Sequence, residues 1–181
     1  MSMRGPVRKA ALLVHVSCSV GWIGAVAAFL VLAVAGVGAS DEVVVRSSYV
    51  GMDLVARFAV VPLALASLLT GLVQALGTEW GLIRHYWVVV KLAVTVVAVA
   101  VLLLQMESIG YLADVSARSA GAEGLLGEAR MSLVVHAGGG LVVLLVPLAL
   151  SIFKPRGPTG FGRGAGRPTN GPSRGRRGEA G

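Results

Sequence analysis

The sequence predicts an all-α fold, a polytopic membrane four-helix bundle, and three observations carry that expectation. Four apolar stretches each approach the roughly 20 residues needed to cross a bilayer core of about 30 Å. The 181-residue chain is 55% hydrophobic and only 14% charged, whereas an ordinary soluble domain carries about 25% charged residues. Its mean hydropathy is +0.79. A globule of this composition has too few polar side chains to cover its surface in water, so it requires lipid as its solvent.

The first stretch runs from about Ala10 to Gly38, behind Arg4, Arg8 and Lys9. Basic residues ahead of an apolar run that ends in Val37-Gly38-Ala39 have the outline of a secretory signal. The run is well beyond the roughly 7–15 apolar residues of such a signal, so an uncleaved helix is expected. The second stretch covers about Leu54 to Leu76, the third Trp87 to about Gln105 and the fourth about Met131 to Phe153. The connection from about Glu107 to Arg130 has room for a short surface helix, which Gly121, Gly124 and Gly127 weaken. Residues 1–9 then form a short N-terminal segment, residues 10–153 the membrane domain and residues 154–181 a tail.

Nearly all of the net charge of +7 belongs to that tail. Lys154, Arg156, Arg163, Arg167, Arg174, Arg176 and Arg177 stand there against the single Glu179, among many glycines and prolines. This composition cannot build a core and is expected to be disordered. With only Phe161 to stack on bases, the tail points to anionic lipid headgroups rather than nucleic acid. Charge also sets orientation, because Lys and Arg concentrate on the cytoplasmic side of short flanks. With the N-terminus inside, Arg4, Arg8, Lys9, Arg84 and the basic tail are cytoplasmic. The opposite face then holds mostly acids, among them Asp41, Glu42, Asp53, Glu107, Asp114, Glu123 and Glu128. Both termini are therefore expected in the cytoplasm of a bacterium, with the aromatic residues Trp80, Tyr86 and Trp87 at the inner interface.

Helices in lipid associate through small and polar residues that allow close approach. The first stretch offers Ser17, Gly21, Ala25 and Ala28; the second offers Ser67, Thr70, Gly71 and Gln74; the fourth offers Gly138, Gly139 and Gly140. Pro62 and Pro147 are expected to kink their helices, and a substrate path beside the kinks is one reading of these faces. A homo-oligomer or a second membrane protein is a compatible partner. Cys18, the single cysteine, permits no intrachain disulfide and reads as a small filler.

Ionisable residues inside a span are functional candidates by default. His15 lies early in the first helix on a stripe with Cys18, Ser19 and Trp22, and His136 lies at a similar depth from the opposite face. At a rise of about 1.5 Å per residue the two are on the order of 15 Å apart along the bilayer normal, too far to share one iron. A b-type haem would therefore use His15 with His85, in the Arg84-His85-Tyr86-Trp87 segment. Copper is the second cofactor reading: Met52, Met106 and Met131 fall near the level of His136, and thioether with imidazole suits Cu(I). Met131 and His136 are about 140° apart around one helix and do not converge from one face. Lys91 is one turn into the third helix, where it can snorkel inward. Asp53 and Arg57 are spaced to pair with each other as an interface clamp. No GxSxG, Walker loop, HExxH or CxxC is present, so an enzyme is not expected.

The segment Leu68-Leu69-Thr70-Gly71-Leu72-Val73-Gln74 through Glu79-Trp80-Gly81, followed by Arg84-His85-Tyr86-Trp87 and Lys91-Leu92, resembles a bacterial family of four-helix integral membrane proteins. The domain of that family has no assigned function. His15, Trp22 and the Val135-His136-Ala137-Gly138-Gly139 run belong to the same resemblance, which covers most of residues 8–156. The layout is also loosely similar to the copper-resistance D-type membrane proteins, with a histidine near the start of the first helix. The resemblance implies four spans and membrane residence, and it supplies no catalytic residues. The sequence thus points to a non-enzymatic accessory or transporter/channel-like membrane component, with copper or haem handling as the alternative.

Overall fold

The computed structural model describes residues 5–77, 86–118 and 123–153. All of these except the turn at 39–41 are helical, and four helices are long and apolar enough to cross a membrane. The first crossing is α1 (Gly5–Gly38). The second is continuous and combines α2 (Glu42–Val55), a π-helical turn (Ala56–Val60) and α3 (Val61–Gly77). The third and fourth are α4 (Tyr86–Arg118) and α5 (Glu123–Phe153). Each crossing packs on its neighbours in sequence, and α5 closes the ring against α1. The chain is a multi-pass, up-and-down bundle. Its outward side chains are large and apolar, including Phe58, Leu104 and Phe153, which water would not tolerate and lipid does.

The helices run past the apolar stretches that define the spans. Where the sequence reading began the second helix near Leu54, the chain turns within residues 39–41 and is already helical at Glu42. The cause is a cap. Asp41 holds extended backbone (φ −83°, ψ 118°), and its carboxylate accepts the Val43 N–H at 2.8 Å. Glu42 adds a negative charge where the helix dipole is positive. Likewise α4 continues to Arg118 and α5 begins at Glu123, so most of the expected outer loop is helix. The tail from Lys154, the His85 segment and residues 1–4 lie outside the described residues.

The two prolines act differently. Pro62 follows the π-helical turn, whose widened ring is sealed by the Val61 N–H on the Ala56 carbonyl. A proline lacks its own N–H and its ring crowds the carbonyl four residues back, here Phe58, so the extra residue in that turn relieves the clash. Pro147 lies inside α5, buried toward the bundle.

Two apolar clusters fill the far end and the middle of the bundle, taking the end where α1 begins as the near end. Phe29, Ala33, Tyr49, Met52, Ala56 and Leu112 lie at the centre of the far one. Gly36 lets this cluster close: a Cβ there would stand 2.8 Å from Cζ of the Tyr49 ring. Trp22, Val26, Val60, Ala64, Val99 and Leu144 form the middle cluster. Two small-residue faces differ from expectation. Ser17 and Ala28 of α1 are exposed, and the packed stripe is His15, Trp22, Val26, Phe29 and Ala33. The Gly138–Gly140 triplet meets no neighbour, since a Cβ on any of the three would have nothing within 4 Å.

Candidate functional site

Among the described residues neither apolar cluster reaches the near end, and a cavity of about 570 Å³ lies there instead. Its construction follows from antiparallel pairing of α1 with α3. Ser19 meets Ser67, hydroxyl to hydroxyl, at 2.8 Å. One turn nearer the end, Nδ1 of His15 lies 3.0 Å from the Thr70 hydroxyl. Another turn on, the Gln74 amide donates to the Ala11 carbonyl at 2.8 Å. The face Ser67, Thr70, Gly71 and Gln74, read from the sequence as the polar contact surface of the second helix, is the one that touches α1.

The hydrogen bonds fix which histidine nitrogen donates. The Thr70 hydroxyl donates to the Ala66 carbonyl at 2.6 Å, so its oxygen is left to accept from His15. Nδ1 of His15 therefore carries the proton, and in the neutral ring Nε2 keeps the lone pair. Gly71 lies against the ring, where a Cβ would come within 3.0 Å of Cε1. His15 is 8% exposed.

The opposite wall comes from α4 and α5. Ser151 donates its hydroxyl proton to the Pro147 carbonyl at 2.7 Å and accepts from the Lys91 ammonium at 2.9 Å. The ammonium is thus turned sideways onto α5 rather than out along α4. Thr95, four residues on, donates to the Lys91 carbonyl and also lines the cavity. Between the polar groups the wall is apolar, with Leu12, Val16, Leu68, Leu92 and Leu148. Reading α4 by four-residue steps gives Trp87, Lys91 and Thr95, a lining stripe that the sequence displays but that means little until α5 faces it.

A second, smaller cavity of about 90 Å³ lies beyond the middle cluster. Gln105, His136 and Gly140 line it among apolar groups. Two residues, Trp22 and Leu144, line both cavities. Trp22 is 4% exposed, and its indole N–H has no hydrogen-bond partner.

The remaining sequence candidates are dispersed. His136 is exposed, its Nδ1 bonded 2.7 Å from the Ser132 carbonyl of its own helix. Met52 is buried in the far cluster, Met106 packs on that cluster, and Met131 is exposed on α5. His85 lies outside the described residues. Among the described residues no group of three or more His, Cys, Asp or Glu side chains is arranged to hold a metal. Arg57 donates from Nε to both carboxylate oxygens of Asp53, at 2.8 and 2.9 Å, and forms the local clamp its spacing suggested. At the far end the Arg130 guanidinium stands 5.4 Å from the Tyr49 ring centroid, a cation–π contact that no spacing along the chain reveals. No protein-family model, no curated protein and no solved structure matches the chain.

Proposed function

We propose that the protein is a non-enzymatic transporter- or channel-like component of a bacterial cytoplasmic membrane, with its near end and both termini on the cytoplasmic side. The observation that carries this reading is the pair of cavities that abut at Trp22 and Leu144. They lie in line along a bundle whose exterior faces lipid, and Pro147 borders the larger one. Trp22 lines both and stands between them. The basic N-terminal flank and tail support the orientation.

Thiol accessibility tests the path. In a Cys18→Ser background, single cysteines replace Ser19 in the larger cavity, Gly140 in the smaller and Val97 on the lipid face. Gly140 has open space for the new side chain. A membrane-impermeant methanethiosulfonate is expected to modify Ser19→Cys from the near face, Gly140→Cys from the far face and Val97→Cys from neither. Adding Trp22→Ala is expected to open Ser19→Cys to the far face as well. Ser19→Cys and Gly140→Cys as silent as Val97→Cys would refute the path.

A second reading, haem handling through His15, has one observation in its favour: Thr70 fixes the ring so that the lone-pair nitrogen is Nε2, the usual arrangement for an orienting bond behind a ligand. A Soret band in purified protein that disappears in His15→Ala would favour it. A colourless protein after growth with haem supplied would exclude it.

A further inference from the structure

The near cavity contains a positive charge that nothing among the described residues of its wall balances. Among the described residues no Asp or Glu lines it. Asp53 and Asp114 are engaged by Arg57 and Arg118 on their own helices. Among the described residues Lys91 is the cation of the cavity interior, with Arg8 lining it from the first turn of α1. An ammonium has three N–H donors, and among the described residues only Ser151 accepts from this one. A lysine this close to a helix end would ordinarily stretch its stem to the interface and keep its charge in water. Here it is held inside, against α5. Cations kept within a membrane protein are paired with an opposite charge or mark a ligand pathway.

The rest of the wall specifies what accompanies that charge. The hydroxyls of Thr95 and Ser151 spend their protons on backbone carbonyls and the Ser19–Ser67 pair uses one of its two, so among the described residues Lys91 is the charged donor inside the cavity. Around it stand leucine and valine side chains suited to hydrocarbon. A volume of about 570 Å³ lies within the about 300–1,000 Å³ typical of small-molecule sites. Together these features exclude a hydrated inorganic anion as the best fit, because most of its surface would meet apolar groups.

We infer that the near cavity binds a single-chain amphiphile with a carboxylate head, the carboxylate held by Lys91 and the hydrocarbon chain by the apolar wall. This rests on the cavity being part of the proposed path. Arg8 is exposed, and Lys91 is the cation held inside, so one negative charge is matched in the interior, and a doubly charged phosphate head would leave a charge without an interior partner.

The test uses full-length protein in nanodiscs of neutral phosphatidylcholine and follows tryptophan fluorescence, since Trp22 and Trp87 line the cavity. Palmitate, hexadecanol, hexadecyl phosphate and hexadecyltrimethylammonium share one chain and differ in head group. Saturable binding of palmitate is expected, with the alcohol and the cation on the order of tenfold weaker or worse, the scale of one charge-assisted hydrogen bond. Lys91→Met is expected to lower palmitate affinity by a similar factor and leave hexadecanol unchanged, while Lys91→Arg retains binding. Equal binding of palmitate and hexadecanol by the wild-type protein, which needs no variant to fold, overturns the inference. Tighter binding of hexadecyl phosphate overturns the carboxylate assignment. The path can fail separately: silent thiols with palmitate still bound through Lys91 leave a binding site without passage, and accessible thiols with no head-group preference leave passage without this ligand.

Discussion

Individual positions divide the glycines of this bundle into those that are needed and those that are not. Gly36 receives the Tyr49 ring at a distance no Cβ tolerates, and the ring is 1% exposed with no room to retreat. Gly36→Ala is expected to cost about 1–3 kcal/mol, the usual penalty for overpacking, read as a lowered thermal midpoint in detergent. Gly139→Ala meets nothing and is expected to be neutral or stabilising by up to about 1 kcal/mol through helix propensity. If the two variants melted alike, the close approach at Gly36 would be disproved. The Asp53–Arg57 pair has a half-exposed guanidinium, so Asp53→Asn is expected to shift stability by less than about 1 kcal/mol. A single residue's role here depends on its neighbour across the interface. The three consecutive glycines of α5 look more important in the sequence than Gly36, and the contacts reverse that order.

At the level of elements, helix ends and helix faces were not equally legible. The Asp41-Glu42 pair is a capping signal visible in the sequence, and it explains why the second crossing starts twelve residues before Leu54. Hydropathy alone overlooked it because Arg46 and Asp53 interrupt the apolar run without interrupting the helix. Asp41→Ala is expected to cost about 1 kcal/mol and Asp41→Asn much less, since asparagine also caps; equal melting of the two would show that the cap carries no weight. The interior face of α3 was legible because Ser67, Thr70 and Gln74 stand out against aliphatic residues. That of α1 was not. Nearly all of α1 is apolar, and lipid is as apolar as a bundle core, so no contrast tells an inward valine from an outward one. The small residues Ser17 and Ala28 were read as the contact surface on size, and both face outward. The π-helical turn before Pro62 adds a further shift, moving every later side chain of the second crossing around the axis by one residue.

For the whole molecule, the ring of four crossings with apolar exteriors ties structure to residence in lipid. The protein is expected to stay in the pellet after carbonate washing, and recovery in the supernatant would contradict immersion in the bilayer. A reporter fused behind Phe153 is expected to report from the cytoplasm if the proposed orientation holds, and an exterior signal would reverse it. The sequence by itself determined the number of crossings and their approximate places, because hydropathy is summed over a local stretch and needs no knowledge of neighbours. It also displayed His15, Lys91 and the polar face of α3 as unusual for a span. Only the tertiary structure decided that His15 meets Thr70 across 55 positions, that Lys91 turns onto Ser151 across 60, and that these groups surround a cavity while Met52, Met131 and His136 go separate ways. The physical reason is that such convergence depends on the rotation and register of each helix against the next. In a solvent as apolar as the core, those are settled by packing and by a few polar contacts, not by the pattern of hydrophobic residues along any one helix.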